Sequence, residues 1–286
     1  MAYATNPVDI NRGTTGITLP ADVATEIFAK TQKESAVMQL AQAITLPGRG
    51  LSIPVITGDP VASIVAESAE KPVSNSTFQT KMMTPKKFSV IEIFSDEFKR
   101  DLPALYDALI GRLPGSIAKA FDNQVFNGTA MSGFDSLVAA PAVQRAAADT
   151  IDKTVKAGMN LVAASNYRVN GFAASPAYET ELITAVDGIN RPLFVQDITA
   201  DNYVGRVYGA PVAETEALTT MVGGDWTQAK YGIVDGINIK ISEEATINDG
   251  TQQINLFQRN LFAVLIEAEM GFVCADDDAF FRVTTA

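Results

Sequence analysis

Two strand-like segments joined by a long polar stretch constrain this chain more than any other feature of its sequence. Leu51 to Val55 alternates apolar and polar side chains, as a strand with one buried face does. Phe88 to Phe94 is rich in β-branched and aromatic residues and reads as the returning strand. Between them lie Asp59-Pro60, Lys71-Pro72 and a Ser/Asn/Thr cluster from Ser74 to Thr77. The whole reads as a two-stranded ribbon with a polar tip, Glu67 to Thr77, carrying charges of both signs. A lone ribbon of this kind is marginal in water, so it needs a surface to lie on, its own domain's or a neighbour's. Met1 to Thr18 poses the same problem: it is polar, rich in Gly and Thr, without periodicity, and reads as an extended arm.

The remainder can build a core. Leu19-Pro20 opens a helical stretch in which Val23 and Ile27 share a face; Val37, Leu40, Ala41 and Ile44 continue the spacing until Pro47-Gly48-Arg49-Gly50. Ser95 is a candidate N-cap, with Asp96 and Glu97 suited to the first turn. From there a long helix is predicted to about Phe126, with Leu105, Leu109, Leu113, Ile117, Phe121 and Val125 spaced by four. Pro114, flanked by Gly111 and Gly115, predicts a kink, and Asn127-Gly128 a stop.

The middle third alternates α and β. Ile151, Val155, Met159 and Val162 mark a helix, and Tyr167 to Ala174 a strand. Ser175-Pro176 opens a helix with Tyr178, Leu182 and Val186 on one face, ending at Gly188. Ile189 to Asn202 reads as a loop, and Tyr203 to Ala213 as a strand turning at Gly209. Farther on, Asp235-Gly236 predicts a hairpin between Tyr231–Val234 and Ile237–Ile241. Asn248-Asp249-Gly250 predicts a loop, and Leu256 to Cys274 a long strand interrupted near Gly271. The class is α+β.

Composition narrows the function. The 286 residues suffice for one large or two modest domains, and the net charge of -11 leaves no basic stripe for gripping nucleic acid. An acidic wall could still surround DNA without adhering to it. Histidine is absent, which removes the commonest general base and the commonest zinc ligand. The single cysteine, Cys274, allows no disulfide within the chain and suits a reducing interior. The longest apolar run, Leu261 to Ile266, is too short to span a bilayer, and residues 1–7 lack the pattern of a signal peptide.

No constellation specifies a reaction. Three consecutive carboxylates, Asp276 to Asp278, do not converge on a cation and read as a solvated turn. Glu267 and Glu269 share a strand face and are the one candidate acid/base pair, for a carboxylate-based hydrolase; the commoner role is to line a solvent or subunit face. Gly223-Gly224-Asp225 lacks the lysine and helix start of a phosphate loop and reads as a turn; Cys274 reads as a packed thiol. The expectation is no enzyme, with no catalytic, cofactor or metal site.

The order of these features resembles the major capsid proteins of tailed phages with the Hong Kong 97-type fold, from about Leu19 to Phe281. Leu51-Ser52-Ile53-Pro54 resembles the strand leading into the family's extended loop. Ile93-Phe94-Ser95-Asp96 is similar to the start of its spine helix, and Phe121-Asp122 through Gly128, then Gly133-Phe134, to the helix end and following turn. Asn170-Gly171-Phe172, Arg191-Pro192-Leu193, Tyr208-Gly209-Ala210-Pro211-Val212, Gly224-Asp225-Trp226 and Ala279-Phe280 extend the likeness. Trp226, where phenylalanine is commoner, and Asp276 to Asp278, in place of a proline-containing turn, depart from it.

The resemblance implies an N-terminal arm and helix over 1–45, an E-loop hairpin over 46–94 and a P domain with spine helix over 95–145. It continues with an A domain over 146–232, P-domain strands over 233–272 and a C-terminal strand over 273–286. It further implies pentamers and hexamers closing an icosahedral shell around double-stranded DNA, in the virion head, after assembly in the host cytoplasm. A portal is an implied partner, with a separate scaffold protein or none, decoration proteins optional, and no membrane. An encapsulin-like cellular compartment shares the shell fold and is the nearest alternative. In some family members a loop lysine bonds covalently to a neighbouring asparagine, with a glutamate as base; here Lys71 is the only lysine at the tip, and Asn248 lies in a candidate partner loop. In the resemblance the family's spine helix is bent in the early shell and relaxes later, which makes Gly111, Pro114 and Gly115 candidate hinge residues.

Overall fold

The computed structural model describes residues 35–286 except 59, 68–69, 147–149, 187–190, 193, 197–204, 235–237, 249, 251 and 286. The N-terminal arm and the helix expected at Leu19-Pro20 lie outside the described residues. The elements in chain order are α1 (Ala36–Leu40), β1 (Gln42–Thr45), β2 (Leu51–Gly58), β3 (Thr77–Met83), β4 (Lys86–Ser95), α2 (Asp96–Asp101), α3 (Pro103–Asn127) and β5 (Ala142–Arg145). There follow α4 (Ile151–Ala164), β6 (Gly171–Ala174), α5 (Pro176–Thr184), β7 (Phe194–Gln196), β8 (Gly205–Val207), β9 (Ala210–Glu214) and β10 (Met221–Gly224). The last are β11 (Ala229–Ile233), β12 (Asn238–Ser242), β13 (Thr246–Asn248), β14 (Gln253–Asn255), β15 (Leu261–Cys274) and β16 (Phe280–Thr285).

The first sheet is organised by β15. Its residues are buried or half-buried throughout, so it reads as a central strand. β4 pairs with it antiparallel from Leu261↔Ser95 to Met270↔Lys86. On its other edge β11 and β12 lie end to end, antiparallel, against Met270–Cys274 and Ala263–Glu267. The hairpin expected at Asp235-Gly236 is therefore corrected: β11 and β12 do not pair with each other, because β15 offers an edge long enough for both. β1 adds parallel to β11. The second sheet runs β5-β16-β10-β6-β9-β8-β7 among the described residues. The main core lies between the sheets under α3, where Phe121 meets Phe88 at 5.8 Å and Phe134 at 6.0 Å, both edge to face. A second core packs α4 and α5 on the other sheet, with Gly158 so near Phe281 that a Cβ there would lie 2.2 Å from the ring.

Local punctuation behaves as the sequence predicts. Ser95 caps α2 by accepting from the Phe98 N–H, and Ser175 caps α5 from the Tyr178 N–H. Tyr208 and Gly209 both take positive φ, 50° and 83°, and turn β8 into β9. α3 stops at Asn127 before Gly128. Helix α4 covers the predicted residues.

Several expectations are corrected. The helix read through Ile44 ends at Leu40, since Ala41 is extended and Gln42–Thr45 pairs with β11. The long helix begins in two pieces, α2 and α3, broken at Leu102 (φ -134°, ψ 57°) because Pro103 disfavours a helical residue before it. Helical structure then continues through Gly111, Pro114 and Gly115. α5 ends at Thr184 rather than Gly188, because Ala185 is extended; Val186 makes an isolated bridge to Pro192. The expected loop from Ile189 holds β7, paired with β8. Gly223 and Gly224 form buried strand β10, not a turn: Phe172, Phe281 and Phe280 occupy the space their side chains would need. Gly271 does not interrupt β15; it sits directly opposite Gly232.

Candidate assembly surfaces

The ribbon is β2 and β3, and the strand predicted to return it, Phe88–Phe94, belongs to the first sheet instead. Ten register pairs with β15 hold β4 there, whereas Thr77–Met83, which the sequence pattern left inside the excursion, pairs with Leu51–Gly58. Period two divides the ribbon into faces. Toward the body, at the root, Ile53 and Met83 are buried with Leu46 and Val273. The paired Gly232 and Gly271 make room for this plug: a Cβ on Gly271 would lie 2.8 Å from both Leu46 Cδ2 and Met83 Cγ. Directly opposite Ile53, the Lys81 ammonium donates to the Cys274 carbonyl at 2.6 Å and faces Asp135 Oδ2 at 3.4 Å. Asp135 Oδ2 also accepts from the Cys274 N–H at 3.2 Å, closing a polar ring around the root.

The opposite face turns away from the body. Ile56 and Phe78, directly paired across the ribbon, are 62% and 68% exposed, and Met82 is 55% exposed. Beyond the strands Val61, Ile64 and Val73 are exposed as well. Large exposed apolar patches are a general mark of interaction surfaces.

Lys71 and Asn248 are both exposed, Lys71 in the ribbon's tip and Asn248 at the end of β13 in a separate two-stranded hairpin with β14. The Asn248 side-chain oxygen accepts from the Gly250 N–H at 2.9 Å, an Asx turn. Glu267 and Glu269 do share one face of β15, but lysines meet them. Lys87 lies 3.8 Å from Glu267 and 3.6 Å from Glu269, and Lys240 lies 3.3 Å from Glu267. Asp276 caps a short 3-10 turn by accepting from the Asp278 N–H, and it accepts from the Tyr167 hydroxyl at 2.9 Å. Burial, reinforced by Asp276, pushes the Tyr167 phenol up to about 12. The Asp277 carboxyl is raised by burial, with Lys81 opposing. Cys274 is buried, its thiol raised chiefly by burial, and unsuited to act as a thiolate. Among the described residues no cluster of His, Cys, Asp and Glu could hold a metal, and no helix is long and apolar enough to cross a membrane.

Sequence reasoning missed the Gly232/Gly271 notch, Lys81 and the buried Asp122. Only Gly271 left a trace, as an interruption of an apolar strand segment.

This architecture has known counterparts. The probable major capsid protein gp17 of Mycobacterium phage L5 is 31% identical over 93% of this chain and 89% of its own length. Its namesake in Mycobacterium phage D29 is 30% identical over the same shares. A solved structure from Gordonia phage Cozz superposes with a TM-score of 0.71 at 26% identity, covering 94% of this chain and 92% of that one. One from Mycobacterium phage Cain reaches 0.74 at 20% identity, covering 98% and 99%, a likeness of fold. The phage capsid family model matches residues 15–285, nearly the whole sequence, and this chain belongs to that family.

Proposed function

We propose that this major capsid protein assembles as pentamers and hexamers into an icosahedral shell enclosing the double-stranded DNA of a tailed phage. The observation that carries the reading is the ribbon's outward face: Ile56, Phe78 and Met82 are exposed in the single chain and would be covered by a second copy. In this reading the ribbon is the E-loop, the first sheet with α3 is the P domain, and the second sheet with α4 and α5 is the A domain. The protein belongs to the virion head, assembles in the host cytoplasm and meets a portal, with scaffold or decoration proteins as further partners. A net charge of -11 suits a wall that surrounds DNA without binding it in a sequence-specific way.

The role is structural and not enzymatic. Lysines on Glu267 and Glu269 support a sheet-face ion-pair cluster over an acid/base pair. Negative-stain images of the purified protein test the main reading: closed shells are expected, and a strictly monomeric species by light scattering at every salt and crowding condition overturns it. An encapsulin-like compartment would be distinguished by a cargo gene beside it, a phage head by portal and protease genes.

Two finer proposals attach to this reading. Gly111, Pro114 and Gly115 form a hinge in the long helix, bent in the early shell and relaxed in the mature one. In the second, the Lys71 amine of one subunit attacks the Asn248 side-chain carbonyl of its neighbour, giving up a proton and displacing ammonia to leave an isopeptide bond, which would need a desolvated site. Denaturing gels of mature particles that show only monomer bands dispose of the bond.

A further inference from the structure

Asp122, in the last third of α3, is 2% exposed and is the only buried carboxylate among the described residues. Its oxygens join three stretches of chain. Oδ1 accepts from the Ser35 hydroxyl and, at 3.5 Å, from the Val37 N–H. Oδ2 accepts from the Ala36 N–H and from the Thr215 hydroxyl, each at 2.9 Å. Ser35 Oγ in turn accepts from the Met38 N–H, and Thr215 passes the connection to the second sheet, its N–H donating to the Ala174 carbonyl. The first turn of α1 is thus capped by a side chain distant in sequence. Residues 35–37 cannot leave without stranding a buried carboxylate and its donors.

Among the described residues no cation neutralises this group. Residues 35–42 carry no charged side chain, nor does β6. On α3 the nearest is Lys119, paired at 2.7 Å with Glu216 on the surface; Glu214 and Glu216 flank Thr215 and make no hydrogen bond to Asp122. Burial raises the Asp122 pKa, and the hydrogen bonds from Ser35, Ala36, Thr215 and Val37 offset only part of the rise.

We propose that Asp122 is a titratable catch: its carboxyl group holds residues 35–37 against the long helix and the second sheet, and its ionisation sets how firmly. The sign follows from the folded state binding the proton more tightly than the unfolded chain does. The hold is fully present below the ordinary carboxylate pKa and is lost progressively as pH rises through the raised folded value. In the protonated form the carboxyl O–H can donate to Ser35 Oγ or Thr215 Oγ1, since either hydroxyl can turn to accept.

Amide hydrogen exchange of residues 35–42 in the full chain, corrected for intrinsic rates, tests the catch between about pH 4 and about pH 8. Protection in the native sequence is expected to fall with rising pH, about tenfold for each unit by which the pKa is raised. Asp122→Asn, neutral and of the same shape, should hold the segment with no such dependence. Asp122→Ala should lose protection at every pH. Thr215→Val removes one donor to the carboxylate and should move the midpoint to higher pH, which keeps the test decisive if the alanine variant does not fold. The same pH dependence in the native chain and Asp122→Asn, or an unmoved midpoint in Thr215→Val, overturns the proposal.

Discussion

β4 with β15, and β2 with β3, are both antiparallel pairs whose residues obey the same two-residue period, yet among the described residues only the first has its apolar face covered. β4 and β15 turn Phe88, Val90, Phe94, Phe262, Val264 and Ile266 toward α3 and the shared core. The ribbon buries Ile53 and Met83 at its root and leaves Ile56, Phe78 and Met82 to solvent. Alternation says that one face is apolar; it does not say whose surface covers it. The first pair is covered by its own chain, whereas the outer ribbon leaves its apolar face exposed in the single subunit.

The contrast breaks first at the core. Phe121→Ala removes the ring that meets Phe88 and Phe134 and should cost about 3–5 kcal/mol, measured as a lower denaturation midpoint of the unassembled subunit. If the loss is below about 1 kcal/mol, the helix-to-sheet core does not carry the stability assigned to it.

Pro114→Ala comes next. A proline inside a helix costs about 3 kcal/mol relative to alanine, because it removes one backbone hydrogen bond and crowds the carbonyl four residues before. The replacement should straighten α3, stabilise the subunit and favour the expanded shell, leaving fewer particles in the early form. Equal helix angles at Gly111 to Gly115 in immature and mature shells would leave only a fixed kink.

The ion-pair cluster on the first sheet should matter less. Lys87 is half exposed and Glu269 nearly so, and exposed pairs are worth about 0–1 kcal/mol. Glu269→Gln should change the subunit's stability by no more than that and leave assembly intact. A loss of some hydrolytic activity in Glu267→Gln and Glu269→Gln with shells still forming would instead restore the acid/base reading.

What was legible in the sequence was local. A cap such as Ser95 or Ser175, and a turn such as Tyr208-Gly209, is decided by a few neighbouring residues, so its signal is contiguous. Strand partnership is decided by distant edges. Phe88–Phe94 was assigned to the ribbon because nothing local reveals that β15 competes for it, and Asp235-Gly236 resembled a hairpin because β15's long free edge was out of view. The Gly232/Gly271 notch exists for Leu46 and Met83, far away in sequence. Asp122 looked like any polar residue on a helix, since its partners lie 87 and 93 positions away. The order of motifs carried the family across these gaps, because order survives where pairings cannot be read.

The smallest effect on the subunit is expected where the effect on assembly is greatest. Ile56→Ser and Phe78→Ser replace a directly opposed pair whose side chains are already largely in water, so the transfer and cavity terms that punish a core substitution are nearly absent. The unassembled subunit should keep its denaturation midpoint within about 0.5 kcal/mol. Shell yield, counted in negative-stain images, should collapse, because the same substitutions place polar groups where a neighbour's surface would have to close over them. Full shell yield from the doubly substituted protein would mean that this face stays wet in the particle. A destabilised subunit would mean that the ribbon finds its cover within its own chain. Either result would erase the distinction between the two strand pairs, and only unchanged stability with lost assembly preserves it.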